Sequence, residues 1–202
     1  MKKIFLIRHP ETEYPTKFYG STDVNLSKNG KHQAELLCET LFNKKIEAVY
    51  SSDMKRTLYP SYLISKRYKI NHFIESKLKE VDFGRWEGLI YNEIINLDKK
   101  LVDQWLGAPE TFTFPGGEEM NAFLNRIKEV FSKLQKNKRY ENIAIITHGG
   151  VIKSLLCLLL NKPLKALWEI PQDFGAINLI ECADNSAIEV KLINDITFMV
   201  KR

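Results

Sequence analysis

The stretch Lys3-Ile4-Phe5-Leu6-Ile7-Arg8-His9 decides the fold. Residues Lys3 to Ile7 read as a short strand whose consecutive apolar side chains suit burial on both faces, and it stops abruptly at the charged pair Arg8-His9. Working outward, two more runs end the same way. Glu47 to Tyr50 closes in Ser51-Ser52-Asp53, three residues before Arg56, and Asn142 to Thr147 closes in His148-Gly149-Gly150. Phe73 and Ile74 mark a short third strand. Gly175 to Cys182 and Ala187 to Ile193 finish the chain as two strands joined by Asp184-Asn185, a hairpin signal.

Helical patterns fill the intervals. Ser27 is placed to cap a helix in which Gln33 to Phe42 carries Ala34, Leu37, Leu41 and Phe42 at helical spacing. A helix from about Asp53 runs through Thr57, and Pro60 is expected to limit it to a first turn or to kink it. Met120 to Leu134 is amphipathic, and Val151 to Leu160 is a further helical run. Val81 to Gly117, rich in Gly and Pro around a helical stretch at Tyr91 to Leu106, reads as an insertion over the sheet edge. Alternating strands and helices predict an α/β fold, a three-layer α/β/α sandwich with a mostly parallel central sheet. The expectation is a single domain over residues 1–202 with a small, lid-like insertion over the active site at about 81–117.

The 202 residues, 44% hydrophobic and 27% charged, are ordinary for a globular chain and exclude a disordered tail or a fibre. Thirty basic against 25 acidic residues give a net charge of +5, scattered along the chain, which favours anionic substrates without demanding nucleic acid. The densest basic stretch, Lys55 to Lys69, reads mostly as a solvated helix face. Cys38, Cys157 and Cys182 are isolated and set among apolar neighbours, as in a reducing compartment. The apolar runs are too short for a signal segment or a membrane span. The expectation is a cytoplasmic monomer or homodimer with no membrane partner.

In such sheets ligands gather outside the carboxyl ends of the strands. Two arginines and two histidines should therefore converge on one edge. Guanidinium forks and helix N-termini suit a tetrahedral dianion, and phosphate is the natural occupant. A neutral imidazole can attack phosphorus, and neighbouring cations keep it neutral. Arg8, Arg56 and His148 would stabilise the transferring phosphoryl group electrostatically, so no metal or cofactor is required. A carboxyl group must then protonate the departing alkoxide and later activate water. Glu80, Asp82, Glu87 and Glu75 compete for that role.

Leu6-Ile7-Arg8-His9-Pro10-Glu11-Thr12 resembles the signature of the histidine phosphatase superfamily, the phosphoglycerate-mutase-like proteins. Thr147-His148-Gly149-Gly150 resembles its second histidine motif, Ser51 to Thr57 its second arginine segment, Leu78 to Gly88 its acid-donor segment, and Pro115-Gly116-Gly117-Glu118 a later turn. The resemblance implies His9 as the phosphate-accepting nucleophile, Arg8 and Arg56 as phosphate clamps, His148 as a second phosphate-binding imidazole and Glu80 as proton donor. Gly149 joins the phosphate site, and Thr12, Tyr19, Gly20 and Ser21 are candidate substrate contacts. Two positions depart from the pattern. The family usually has glycine where Pro10 removes an N–H, and a polar side chain where Pro15 offers none.

The short insertion leaves less lid than mutases carry, so a phosphomonoesterase acting on a small phosphorylated metabolite is favoured over phosphoglycerate mutase-type transfer. Tyr19 to Ser27 resembles a loop of α-ribazole phosphatases, pointing to α-ribazole 5′-phosphate among other small phosphoesters. Two other classes remain open: a non-catalytic phosphate- or phosphoprotein-binding relative, and a nucleotide-binding module. No Gly-rich loop follows the first strand to support the second. His32 and His72 are expected to be structural or exposed, and Phe83 and Trp86 to pack the loop that carries Glu80.

Overall fold

A computed structural model of the chain describes residues 1–183 and 187–200. Six strands form one sheet: β1 (Lys2–Arg8), β2 (Ala48–Ser51), β3 (Asn71–Ile74), β4 (Asn142–Thr147), β5 (Ile177–Cys182) and β6 (Ile188–Asp195). Their spatial order is β3-β2-β4-β1-β5-β6. The first four strands in that order run parallel, and β5 and β6 are antiparallel to their neighbours. The hairpin signal Asp184-Asn185 lies outside the described residues.

The apolar run of β1 works as a two-faced strand because side chains alternate at period two. Ile4 and Leu6, with Ile143 and Ile145 of β4, enter the core on one face, which α4 (Met120–Lys136) and α5 (Gly149–Leu159) cover. Phe5 and Ile7, with Ala144 and Ile146, enter the other, covered by α1 (Lys28–Thr40) and α2 (Lys55–Tyr68). Ile4, Leu6 and Ile7 have no exposed surface, so each contributes roughly 1.5–3 kcal/mol of transfer free energy.

Two local expectations fail. Pro60 does not stop α2 after its first turn; the helix continues to Tyr68. A proline inside a helix costs about 3 kcal/mol, but Arg56, Thr57, Pro60, Ser61 and Ile64 form one buried face of α2, and that burial outweighs the lost hydrogen bond. Phe42 leaves the apolar stripe of α1, which ends at Thr40, and is 61% exposed. Ser27 does cap α1, its Oγ accepting from Gly30 N–H at 2.9 Å.

Residues 81–117 share the core on the side of the sheet that α4 and α5 cover. Their helix α3 (Tyr91–Gly107) sends Ile94, Val102 and Trp105 into the same core as α4 and α5. The segment organises itself around Trp86, which is fully buried against Trp105, Phe112 and Phe114 and donates its indole N–H to Asp98 at 2.8 Å. Two resemblance motifs meet here backbone to backbone. Gly84 has φ +55°, and a Cβ on it would lie 2.4 Å from Gly117 N, so a side chain at this position would force the strands of loop apart. The three cysteines are free and buried.

Candidate active site

The register of β1 against β4 places Arg8 beside Thr147, so the next residues, His9 and His148, leave the sheet side by side. Their ring centroids are 5.2 Å apart, edge to face. A cavity of about 240 Å³ opens above this edge, and Arg8, His9, Thr12, Tyr19, Arg56 and Glu80 all reach its wall.

His9 Nδ1 lies 2.8 Å from the Pro10 carbonyl oxygen. A carbonyl only accepts, so Nδ1 carries the proton and the Nε2 lone pair is free. Burial first, then Arg56 and Arg8, hold the His9 pKa well below the ordinary histidine value of 6.5, so the ring is neutral. Pro10 removes an N–H, yet its carbonyl fixes the tautomer that exposes Nε2.

His148 has no exposed surface, and both its ring nitrogens are engaged. Arg56 Nε–H donates to Nδ1 at 3.2 Å, which leaves the proton on Nε2. That proton faces Ser52 Oγ at 2.8 Å, and the chain continues through Thr57 Oγ1 at 2.7 Å to the Met54 carbonyl at 2.9 Å. Burial and the surrounding cations push the His148 pKa well below 6.5 as well. The ring contacts His9 and orients Arg56 from behind the cavity wall.

The two arginines divide their work. Four of the five N–H groups of Arg56 are used by the protein: Nε–H on His148, and the others on the carbonyls of Thr22, Tyr19 and Gly20 at 2.8–3.1 Å. Arg56 therefore ties the 19–22 loop to His148. Arg8 donates one Nη1–H to the Gln172 carbonyl and keeps a buried Nε–H with no partner among the described residues. Its guanidinium lies 3.9 Å from the ring centroid of Phe174, which also packs on His9. Burial lowers the Arg8 pKa to about 10, still leaving it a cation.

Glu80 is the carboxylate on the cavity wall; Asp82, Glu87 and Glu75 are committed elsewhere. Its Oε2 accepts from Gly150 N–H at 2.8 Å and its Oε1 from Val81 N–H at 3.0 Å. Burial raises its pKa above the ordinary carboxylate value, against the opposing pull of those two amides and of Arg56 and Arg8. The glycine at 150 is what lets the carboxylate approach: a Cβ there would lie 2.3 Å from Glu80 Oε1. Gly150→Ala is therefore expected to displace the carboxylate and lower kcat/KM by roughly 10²-fold, with thermal stability little changed. Wild-type activity in that variant would show that the carboxylate position is unimportant.

Other candidates sit elsewhere. Gly149 lies against the Arg8 guanidinium rather than on the first cavity wall. The N–H groups of Gly20, Ser21 and Thr22 are occupied by the carboxylate of Glu87 at 2.9–3.1 Å, and the Ser21 hydroxyl donates to Asp82 at 3.1 Å. Glu11 binds Ser27 and Asn29 and so fastens the loop to the start of α1. Trp86 packs in the core as expected, whereas Phe83 also lines the cavity. His32 is exposed beside Glu35, and His72 meets Ser51 Oγ at 2.8 Å.

Three contributors escaped the sequence reading. Phe174 and Gln172 hold Arg8, and Arg126 supports Glu80. Arg126 donates to the carbonyls of Lys77, Lys79 and Glu80 at 2.7–2.9 Å and pairs with Glu118 at 2.7 Å. Only the Glu118 of the Pro-Gly-Gly-Glu turn gave a hint of that support.

The same features align the chain with known proteins. The family model described as histidine phosphatase superfamily (branch 1) matches residues 4–196. A putative phosphoserine phosphatase 2 of Hydrogenobacter thermophilus is 31% identical over 182 residues, covering 89% of each chain. The adenosylcobalamin/alpha-ribazole phosphatase of Escherichia coli is 25% identical over 181 residues, again 89% of each. Among solved structures, Bacillus stearothermophilus YhfR superposes with a TM-score of 0.90 at 26% identity, covering 98% of this chain and 100% of that one. Among the described residues, no helix is long and apolar enough to cross a membrane. A match that begins in β1 and ends beyond β6 establishes that this chain belongs to branch 1 of the histidine phosphatase superfamily.

Proposed function

We propose that the chain is a phosphomonoesterase working through a phosphohistidine on His9 Nε2. The observation that carries this reading is the Nδ1 contact to the Pro10 carbonyl, which presents a neutral, buried Nε2 lone pair between two arginines. The phosphoryl group enters the cavity against Arg8, whose free N–H groups can form a fork on phosphate oxygens. Arg56 adds its field and its one remaining N–H, and His148 keeps Arg56 in place. Nε2 attacks phosphorus, the P–O bond to the alcohol breaks, and the Glu80 carboxyl transfers its proton to the leaving oxygen. The Glu80 carboxylate then takes a proton from water as the water oxygen attacks phosphorus. The N–P bond breaks, phosphate leaves, and His9 and protonated Glu80 are restored.

The charge that a metal would supply comes from guanidinium groups in this scheme. Residues 81–117 serve as the lid of a single domain through Phe83, and the three buried thiols suit the cytoplasm. The substrate is a small phosphorylated metabolite; the names of relatives offer phosphoserine and α-ribazole 5′-phosphate as first candidates. Hydrolysis of p-nitrophenyl phosphate is expected to persist in excess EDTA, and acid-sensitive, base-stable phosphoprotein should be trapped after rapid mixing. Loss of turnover on chelation, restored by added metal, would overturn the histidine route. Phosphate binding without any turnover would instead favour a non-catalytic relative.

A further inference from the structure

A second cavity of about 240 Å³ borders the first, and Arg8, Phe18, Glu80 and Phe83 contribute to the walls of both. Its far side is apolar, formed by Trp105, Phe114, Leu167 and Trp168, and Lys153 of α5 also lines it. Lys153 is partly buried and makes no hydrogen bond or ion pair among the described residues. Burial lowers its pKa and Arg8 adds to that effect, while Glu80 opposes it. A partly buried ammonium on a largely apolar wall, with no hydrogen bond or ion pair among the described residues, gains from an incoming anion.

The placement along α5 gives the cavity a direction. Gly150 N–H holds the Glu80 carboxylate, and Lys153 follows three residues later, about one helical turn on. Glu80 stands where the two cavities meet, the position required of the bridging oxygen it would protonate. A phosphoryl group at His9 would therefore project its alcohol half past Glu80 towards Lys153.

We propose, resting on the phosphomonoesterase reading above, that the second cavity receives the alcohol half of the substrate and that Lys153 binds a carboxylate carried by that alcohol. The substrate class is then a phosphomonoester of a small hydroxy acid. The largely apolar walls lower the polarity around the ion pair and so strengthen it. A phosphoester without an acidic group leaves Lys153 unpaired and is disfavoured.

Matched substrates isolate the carboxylate. 3-Phosphoglycerate and glycerol 3-phosphate differ by a carboxylate in place of a hydroxymethyl group, and O-phosphoserine and O-phosphoethanolamine differ by its presence. The wild type is expected to prefer the acid in each pair by kcat/KM. Lys153→Met should reduce that preference by roughly 10²-fold, the scale for truncating one partner of a buried charge pair, and Lys153→Arg should retain most of it. An unchanged preference in Lys153→Met overturns the proposal, as does a wild type that favours the member without the carboxylate or α-ribazole 5′-phosphate. If no phosphomonoester is turned over, the catalytic reading fails by itself. Calorimetric binding of O-phosphoserine to wild type and Lys153→Met then decides the subsite separately, and equal affinities would refute it.

Discussion

His9→Ala is expected to lower phosphomonoester turnover by roughly 10⁴-fold or more, the scale on which loss of a covalent nucleophile is felt. The rapid-quench phosphoprotein should vanish with it. No other side chain can take the place of Nε2 in this geometry. The second imidazole, His148, is 5.2 Å away between centroids, but Arg56 and Ser52 engage both of its nitrogens. Freeing either would break a buried hydrogen-bond chain and leave a donor or acceptor unsatisfied, at about 1–3 kcal/mol. Trapped phosphoprotein at wild-type yield in His9→Ala would show that a different residue carries the phosphoryl group.

Glu80→Gln should lower kcat/KM for an alkyl phosphate by roughly 10²–10⁴-fold, the usual scale for general acid catalysis. With p-nitrophenyl phosphate the loss should be much smaller, because that leaving group departs without a proton. The pH dependence follows from the directions of the two shifts. His9 has its pKa lowered, so the neutral nucleophile persists on the acid side of 6.5. Glu80 has its pKa raised above 4.5, so the protonated acid persists above the ordinary carboxylate range and is lost as pH rises through its folded value. Wild-type activity on alkyl phosphates should therefore fall on the alkaline side of that value. The Gln variant should lack this limb while keeping the one set by His9 and by substrate ionisation. Equal losses on both substrates with an unchanged pH profile would place the proton donor elsewhere.

Much of the sheet was legible because its signals are local. Four consecutive apolar residues before Arg8, and a second such run before His148, required strands covered on both faces, and the parallel register then brought the two histidines together. The helix at Met120 to Lys136 showed itself through a strict three-and-four spacing. Pro60 misled because its cost is local, whereas the burial that outweighs it comes from residues on other elements. Phe42 misled for the converse reason: it continues the apolar spacing of α1 but lies beyond the end of that helix, where the Tyr68 ring of α2 meets it edge-on and 61% of its surface stays exposed.

The candidate site divides along the same line. Arg8, His9, Arg56 and His148 were candidates because each lies at or shortly after the end of a strand, whereas Glu80 was singled out among four carboxylates only by the family resemblance. Their division of labour was not legible there. That Arg56 is mostly consumed by the 19–22 carbonyls, that Glu87 fills the amides of that loop, and that Phe174, Gln172 and Arg126 hold the charged groups all depend on contacts between distant segments. Pro10 illustrates both limits, since the lost N–H is written in the residue type and the useful carbonyl appears only when the His9 ring folds back onto it.

By itself the sequence determined the layer architecture and the edge of the sheet at which the candidate site lies, because periodicity and residue type are properties of short segments; the family resemblance added the candidate reacting side chains. Only the tertiary structure decided which nitrogen of His9 is free, which arginine remains open to a phosphoryl group and which cavity lies beyond Glu80. Those depend on hydrogen-bond geometry and burial, which are set by partners brought together from across the chain.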